Sequence, residues 1–483
     1  MTLRIAIVHY HLRPGGVTRV IEHAIDSLTP LGHQVAVVCG EPPENPPHRS
    51  ARVAVLPALG YGTSHTPQTT HDSVTTELRA AATQALGTAP DLWHVHNHAL
   101  GKNATLPTAV SRLAADGEAL LLQLHDFAED SRPANWAYLS SALSTSGVTL
   151  YPQSLRIALA VLNGRDERAL LRAGVSPEAL ETLPNPVSGD RKSSSVELHD
   201  PPLFLYPTRA IRRKNLGEFL LWSQLAGDGA QFATTLSPRN PHERSRYERW
   251  KKFATEHQLP VQFAVGEDTR MSFEDRMRSA TALVTTSVTE GFGMSFLEPW
   301  LFGREVLGRD LPEITADFKA AGVDLSALYS RLDVPVAWVG REELRERLRR
   351  AIEANYKAYG RPLPADGLER AFQAAVTEDE EGVDFGRLDE SLQETVLRRL
   401  WKDPGARQEP RPRQLDERAV KSHHIEKNRR RVAREFALPA YGRRLESIYR
   451  RLLEAPAEIR APLSPEKVLD AFLHPESFFL LRS

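Results

Sequence analysis

The chain repeats one pattern along most of its length: a short apolar run, a polar or glycine-bearing loop, then apolar residues at helical spacing. Arg4-Ile5-Ala6-Ile7-Val8 is the first such run. His9 to Thr18 follow it, and Val20, Ile21, Ala24, Ile25 and Leu28 then recur on one helix face. Leu203-Phe204-Leu205-Tyr206 repeats the pattern, with Leu216, Phe219, Leu220 and Trp222 behind it. Apolar runs without polar alternation are strands buried on both faces, and such strands need helices over each face. The pattern therefore predicts an α/β fold with parallel sheets. Its strands lie near Ile5, Val35, Val53, Leu92, Leu121 and Ala158, then near Leu205, Phe232, Val261, Leu283 and Val306. A polar stretch from Asn185-Pro186-Val187 to Pro202, with Ser193-Ser194-Ser195 inside it, separates the two sets. We expect an N-terminal domain over residues 1–187, a linker over 188–202 and a C-terminal domain over 203–426.

Doubly wound sheets bind ligands at the carboxyl ends of their strands, so the loops there carry the functional reading. The densest is Ser287-Val288-Thr289-Glu290-Gly291-Phe292-Gly293-Met294-Ser295-Phe296-Leu297-Glu298, after the apolar run Ala282 to Val284. It reads as a strand ending in a glycine turn and passing into a helix, whose N-terminus offers free backbone N–H groups to an anion. Glu290 sits in the turn. Glu298 is placed about two helical turns further on, with Ser295, Phe296 and Leu297 in an amphipathic helix between. Two acids flanking a phosphate-sized gap suit a ligand with hydroxyls at both ends and phosphate between them, as in a nucleotide sugar. The acid spacing alone reads as a helix cap with two solvated carboxylates; the glycine turn after an apolar strand favours a site.

Pro207-Thr208-Arg209-Ala210-Ile211-Arg212-Arg213-Lys214-Asn215 gives a second loop. Arg209 and Lys214 put two fixed cations in this loop, where an anion would be neutralised. Arg212 and Arg213 read as a solvated basic turn. The loop after the first strand contains Gly15-Gly16; an ordinary strand-to-helix turn needs only one glycine, and two adjacent ones suggest close approach of a ligand to backbone; it is not the G-x-G-x-x-G of dinucleotide sites. Leu120 to Leu124 lead into His125, with Glu129, Asp130 and Arg132 beyond it in either an acceptor pocket or a surface loop. His94, His96 and His98 alternate at the end of another strand and read as one strand face; without a Cys or acid to complete a ligand set, we place zinc below a structural or acceptor-side role.

Together these segments resemble retaining glycosyltransferases of family 4, which have the GT-B fold. The resemblance rests on the E-x7-E pair Glu290 and Glu298 with its Glu-Gly-Phe-Gly core, on the Arg-x4-Lys pair Arg209 and Lys214, on Gly15-Gly16 and on His125. It implies two Rossmann-like domains facing across a cleft, with late helices crossing back onto the first. It implies a donor site of Gly15, Gly16, Arg209, Lys214, Glu290, Gly291, Phe292, Gly293, Met294, Ser295 and Glu298. In that site Glu290 binds the donor sugar, Glu298 the ribose, and Arg209 and Lys214 the diphosphate, while His125 approaches the sugar. Glu290, His125, Arg209 and Lys214 are the expected catalytic group; His98, Glu129, Asp130 and Arg132 are acceptor-side candidates. The implied reaction is front-face transfer of a hexose, from a donor of the UDP-glucose or GDP-mannose type, to a hydroxyl acceptor with retention. It uses neither metal nor cofactor, and no carboxylate acts as nucleophile.

The sequence departs from the family after Glu298, where Pro299 to Arg304 and Gly308 to Glu313 replace a small-residue helix and a Gly-Gly turn. Residues 317–414 read as a helical insertion, either over the acceptor or at a homo-oligomer contact, and residues 427–483 as C-terminal helices on the first domain. A net charge of -1 and pI near 7.0 argue against a nucleic-acid partner. Cys39 alone excludes a disulfide framework and fits a reducing cytoplasm. No apolar run reaches a membrane span, and no signal peptide precedes the first strand. Three rivals share these motifs: a disaccharide phosphorylase, a nucleotide-sugar epimerase or hydrolase of GT-B shape, and a non-catalytic sugar-binding subunit.

Overall fold

A computed structural model describes residues 2–44, 51–62, 71–144, 146–188, 197–226, 229–410 and 422–482. The chain divides into two compact units: Met1–Pro186 with Phe436–Leu473, and Val187–Glu435 with His474–Ser483. Residues 189–196 of the expected linker, and 411–414 at the end of the expected insertion, lie outside the described residues.

In the first unit the strands are β1 (Arg4–Val8), β2 (Gln34–Cys39), β3 (Arg52–Val55), β4 (Leu92–His96), β5 (Leu120–Leu124), β6 (Tyr151–Ser154), β7 (Ile157–Val161) and β8 (Leu180–Thr182). Seven form a parallel sheet in the order β3-β2-β1-β4-β5-β7-β8. Every residue of β4, β5 and β7 is buried, as unalternating apolar strands require when helices cover both faces. The helix Gly16–Leu28 turns Val20, Ile21, Ala24, Ile25 and Leu28 inward. The strand Ile459–Leu463 pairs antiparallel with β6, so the late segment is joined to this unit by backbone hydrogen bonds.

The second unit holds β9 (Leu203–Arg209), β10 (Gln231–Leu236), β11 (Val261–Gln262), β12 (Ala282–Thr285), β13 (Val306–Arg309) and β14 (Leu328–Tyr329), in the order β11-β10-β9-β12-β13-β14. This is the doubly wound order of a Rossmann sheet, and its direction reverses between β9 and β12. The strands expected from sequence are all present.

Residues 317–410, expected as a helical insertion, pack into the second unit. β14 extends the sheet beside β13, and helices Arg341–Ala358, Gly367–Ala375 and Glu390–Lys402 share one apolar core with Leu216–Leu225. That last helix is buried at every position, and an apolar helix needs such a second cover. The late segment also differs from expectation. Ser422–Glu435 belongs to the second unit, where Asn428 Oδ1 accepts from Asp324 N at 2.9 Å and its Nδ2 donates to Asp324 O at 2.7 Å. Residues 474–483 belong there too: the turn Leu480–Arg482 packs on the turn Arg212–Lys214.

The departure after Glu298 resolves into a buried charge cluster. Gly308 has φ 111°, and a Cβ there would lie 2.1 Å from Thr285 O, so no other residue fits between β12 and β13. Arg309, 2% exposed, forks onto Glu218 Oε2 at 2.7 Å and Asp384 Oδ1 at 2.8 Å. Tyr329 OH donates to Glu218 Oε1 at 2.8 Å.

Candidate active site

The reversal between β9 and β12 brings two loops together at the carboxyl edge of the second sheet. β9 runs into the tight turn Arg212–Lys214, closed by Asn215 at φ 53°, a left-handed conformation that Asn adopts more readily than most residues. β12 ends at Thr285 and opens into Thr286–Gly293. Thr286 Oγ1 donates to Lys214 O at 3.0 Å and Asn215 O at 3.1 Å, and Val288 N donates to Arg213 O at 3.0 Å. These bonds fix the two loops against each other through backbone, so the side chains between them are held in register.

Glu290 is the centre of that register. It is 8% exposed and accepts from Lys214 Nζ, from Ser287 Oγ at 2.7 Å and from Arg213 Nη1 at 3.1 Å. Ser287 Oγ in turn lies 2.7 Å from Tyr206 OH, on β9. Burial pushes the Glu290 carboxyl up, but the charges of Lys214 and Arg213 and the hydrogen bonds outweigh it and hold the pKa at about 2. Burial brings Lys214 down to about 8 against the opposing pull of Glu290. Both groups are charged at neutral pH.

Arg213, read from sequence as solvated, is bound to the key carboxylate and also donates to Thr289 O at 2.9 Å. Arg212 is not solvated either: its side chain is turned to Glu390 at 3.6 Å. The tight turn is the reason, because it throws consecutive side chains to opposite sides, which residue spacing alone does not reveal. Arg209 ends β9 and donates to Ser237 O at 2.8 Å; among the described residues it forms no ion pair. Arg213, Ser287 and Tyr206 are the site residues missed from sequence. The available signal was that Ser287 stands three residues before Glu290, at hydrogen-bonding reach across a tight loop.

The segment from Gly291 to Glu298 is less helical than expected. Gly293 has φ 93°, and a Cβ there would lie 2.8 Å from the Phe296 ring. Phe292 is buried edge-on against Phe318 at 5.3 Å. Met294–Phe296 forms a single 3₁₀ turn, and Glu298 opens the four-residue helix Glu298–Leu301. No amphipathic two-turn helix joins the two acids, because the left-handed glycine and Pro299 confine regular structure to these short pieces. Ser295 Oγ is buried with no hydrogen-bond partner among the described residues.

In the first unit the order reverses between β1 and β4, and histidines collect at the carboxyl edge. His96 Nδ1 lies 2.8 Å from His125 Nε2, and His9 Nδ1 donates to His96 O at 3.3 Å. His94 is held between Gln123 Oε1 at 2.9 Å and Tyr449 OH at 2.8 Å. Burial lowers every one of these imidazoles; His125 and His9 fall to about 3 and His94 to about 4. They are neutral at physiological pH. His98 does not share the strand face of His94 and His96, because Asn97 turns the chain at φ 57° and sends His98 Nε2 to Leu150 O at 2.8 Å. Among the described residues no group of three or more His, Cys, Asp or Glu could hold a metal ion.

The acceptor-side candidates scatter. Glu129 is fully buried and accepts from Tyr151 OH at 2.9 Å, so it belongs neither to a surface loop nor to an open pocket. Asp130 pairs with Arg165 at 2.9 Å and Arg132 with Asp126 at 2.5 Å. At Gly15, which caps the helix Gly16–Leu28, the backbone is extended, and a Cβ on Gly16 would meet nothing within 4 Å. The fold itself does not demand either glycine.

Two doubly wound parallel sheets in this order define the GT-B class. Sucrose-phosphate synthase from Thermosynechococcus elongatus has the same fold, with a TM-score of 0.51 at 15% identity over 93% of this chain and 98% of that one. The catalytic domain of starch synthase IV from Arabidopsis thaliana, solved bound to ADP and acarbose, gives 0.51 at 12% identity over 94% and 100%. Within that class, residues 14–191 match the profile described as Glycosyltransferase Family 4. Mannosylglucosyl-3-phosphoglycerate synthase from Petrotoga mobilis is 27% identical over 342 residues, 65% of this chain. The match spans 66% of that relative's length. No helix among the described residues is long and apolar enough to cross a membrane.

Proposed function

We propose that this chain is a retaining glycosyltransferase that moves a hexose from a nucleotide-diphosphate sugar to a hydroxyl acceptor. One observation carries the reading: Arg213 and Lys214 are gathered on Glu290 at the switch point of the second sheet, where ligands of such sheets bind, and Arg209 ends the neighbouring strand β9. Two cations against this one carboxylate leave positive charge for a diphosphate. Arg209, which has no carboxylate partner among the described residues, is the side chain most open to it. Arg209 and Lys214 stabilise the negative charge that develops on the leaving diphosphate, and Glu290 accepts from sugar hydroxyls. Glu298 and the backbone of Gly293, Met294 and Ser295 take the ribose and phosphate end. The acceptor hydroxyl attacks from the face the diphosphate leaves, and the departing phosphate oxygen takes its proton. For His125 the reading rests on the family resemblance alone.

The Petrotoga relative is a synthase whose product carries mannose, glucose and phosphoglycerate, so mannosyl and glucosyl donors and phosphoglycerate-type acceptors come first in a screen. The test is a thermal-shift series against UDP, GDP, ADP and their sugars. A ligand at 100 times its dissociation constant adds about 2.7 kcal/mol. Turnover of the donor that binds, in EDTA, with proton NMR of the product's anomeric signal, completes it. No stabilisation by any nucleotide, or an inverted anomeric centre, overturns the reading.

A further inference from the structure

At the carboxyl edge of the first sheet β4 ends in His96 and β5 runs into His125, and the two imidazoles meet with His96 Nδ1 2.8 Å from His125 Nε2. His96 is fully buried, and burial drives it, like His125, well below the ordinary imidazole range. Both rings are therefore neutral, and each carries one N–H. One proton stands between Nδ1 and Nε2, and two arrangements are open. Either His96 Nδ1–H donates and His125 keeps its own proton on Nδ1, or His125 Nε2–H donates and His96 keeps its proton on Nε2.

The surroundings decide between them. His96 Nε2 is buried with no hydrogen-bond partner among the described residues. The His94 ring, centred 4.3 Å from the His96 ring, is engaged at both nitrogens. Gln123 Oε1 has no proton to give, so His94 Nε2–H donates to it at 2.9 Å, and His94 Nδ1 accepts from Tyr449 OH at 2.8 Å. His9 commits its Nδ1–H to His96 O at 3.3 Å. A proton on His96 Nε2 would be a buried donor without an acceptor, which folded proteins seldom tolerate; a bare lone pair there is the smaller cost. The shared proton therefore sits on His96 Nδ1, and His125 Nε2 accepts it.

That leaves His125 with its N–H on Nδ1. This nitrogen has no partner among the described residues and, unlike His96 Nε2, is not sealed from solvent. The backbone behind it is fixed: Asn97 Oδ1 accepts from His125 N at 2.7 Å and Asp126 N at 3.1 Å, and Tyr10 OH donates to Asn97 O at 2.9 Å. We propose that His96 is a positioning residue that fixes His125 as the Nδ1–H tautomer, so that His125 offers a hydrogen-bond donor to a sugar or phosphate oxygen of the bound donor substrate. The role in transfer rests on the glycosyltransferase reading above; the tautomer assignment does not. Nδ1–H has no lone pair for the proton of an acceptor hydroxyl, so His125 binds and orients, and that proton is left to the departing phosphate oxygen.

The test labels the full chain with ¹⁵N-histidine and reads long-range proton–nitrogen NMR, which tells a protonated ring nitrogen from a bare one; His125→Phe assigns the His125 signals. In the native chain His125 is expected to carry its proton on Nδ1. His96→Leu, which removes the donor, is expected to move that proton to Nε2 and to lower kcat/KM at least about tenfold. His96→Asn, whose Nδ2–H stands in for the lost Nδ1–H, is expected to keep the tautomer and about the native kcat/KM. Loss of nucleoside-diphosphate affinity in His125→Phe places the contact on phosphate, and loss of kcat/KM alone places it on the sugar. A His125 proton on Nε2 in the native chain overturns the assignment, and a tautomer that stays unchanged in His96→Leu overturns control by His96. Where His96→Leu does not fold, His96→Asn decides: a tautomer lost although the donor is kept overturns the proposal. A tautomer that switches with kcat/KM unchanged overturns the role in transfer. If the tautomer is as assigned and depends on His96 while no nucleotide sugar is turned over, the positioning stands and the glycosyltransferase reading fails.

Discussion

Glu290→Gln removes the carboxylate on which Lys214 and Arg213 converge while keeping the side chain's shape. In the folded chain the carboxyl is held at about 2 against an ordinary 4.5, a difference of about 3 kcal/mol at about 1.4 kcal/mol per unit. The folded value is depressed, so this stabilisation is present above pH 4.5 and is lost as pH falls from there towards 2. Lys214 works in the opposite direction. Its folded value of about 8 lies below 10.5, so carrying its charge costs a similar amount at neutral pH, and that cost is relieved as pH rises from 8 to 10.5. The two terms nearly cancel, as expected of a buried ion pair. Removing one partner leaves the other uncompensated: Glu290→Gln is expected to cost about 3 kcal/mol at pH 7. Adding Lys214→Met to it should restore at least half of that. The assay is urea denaturation followed by tryptophan fluorescence. That signal reports chiefly on the second unit, because Trp222, Trp250, Trp300, Trp338 and Trp401 lie there and only Trp93 and Trp136 in the first. A single variant as stable as the native chain, or a double variant no more stable than the single, refutes the argument that the pair is retained at no net gain in stability.

Gly293→Ala places a Cβ against the Phe296 ring at φ 93° and is expected to cost about 1–3 kcal/mol in the same assay, with loss of nucleotide binding. Arg309→Met leaves Glu218 and Asp384 buried without their cation and is expected to destabilise the second unit by about 3–5 kcal/mol at pH 7, less at pH 4 where the acids take up protons. Burial raises the Glu129 carboxyl to about 8, so the folded chain keeps its proton where the unfolded chain does not. Stability therefore falls as pH rises from about 4.5 towards 8, and Glu129→Gln should flatten that slope in melting curves at pH 5 and pH 8. Arg213→Ala, at a residue the sequence presents as solvated, is expected to weaken donor binding roughly tenfold, through loss of one charge-assisted contact at Glu290, measured by titration with the nucleotide found in the screen.

Burial pattern was legible in the sequence. Runs such as Leu120 to Leu124 and Ile157 to Val161 have no polar alternation, and only a sheet covered on both sides can bury them, so the doubly wound fold followed from local composition. The loops at the strand ends were legible for the same reason: polar and glycine residues break off where the apolar run stops. What the sequence did not show is which side chains meet across loops. Arg213 and Arg209 belong to one basic run, yet the Arg212–Lys214 turn gives Glu290 to Arg213 and leaves Arg209 at the strand end. Nor did it show that residues 317–410 complete the second core, because their charge density comes from exposed helix faces while Leu344, Leu348 and Leu397 point inward. Glu129 reads as a loop acid until Tyr151, from a distant strand, closes over it. Periodicity and composition are properties of neighbours along the chain, and they determined the elements. Ion pairing, burial of single charges and the sharing of a core are properties of neighbours in space, and only the tertiary structure decided them.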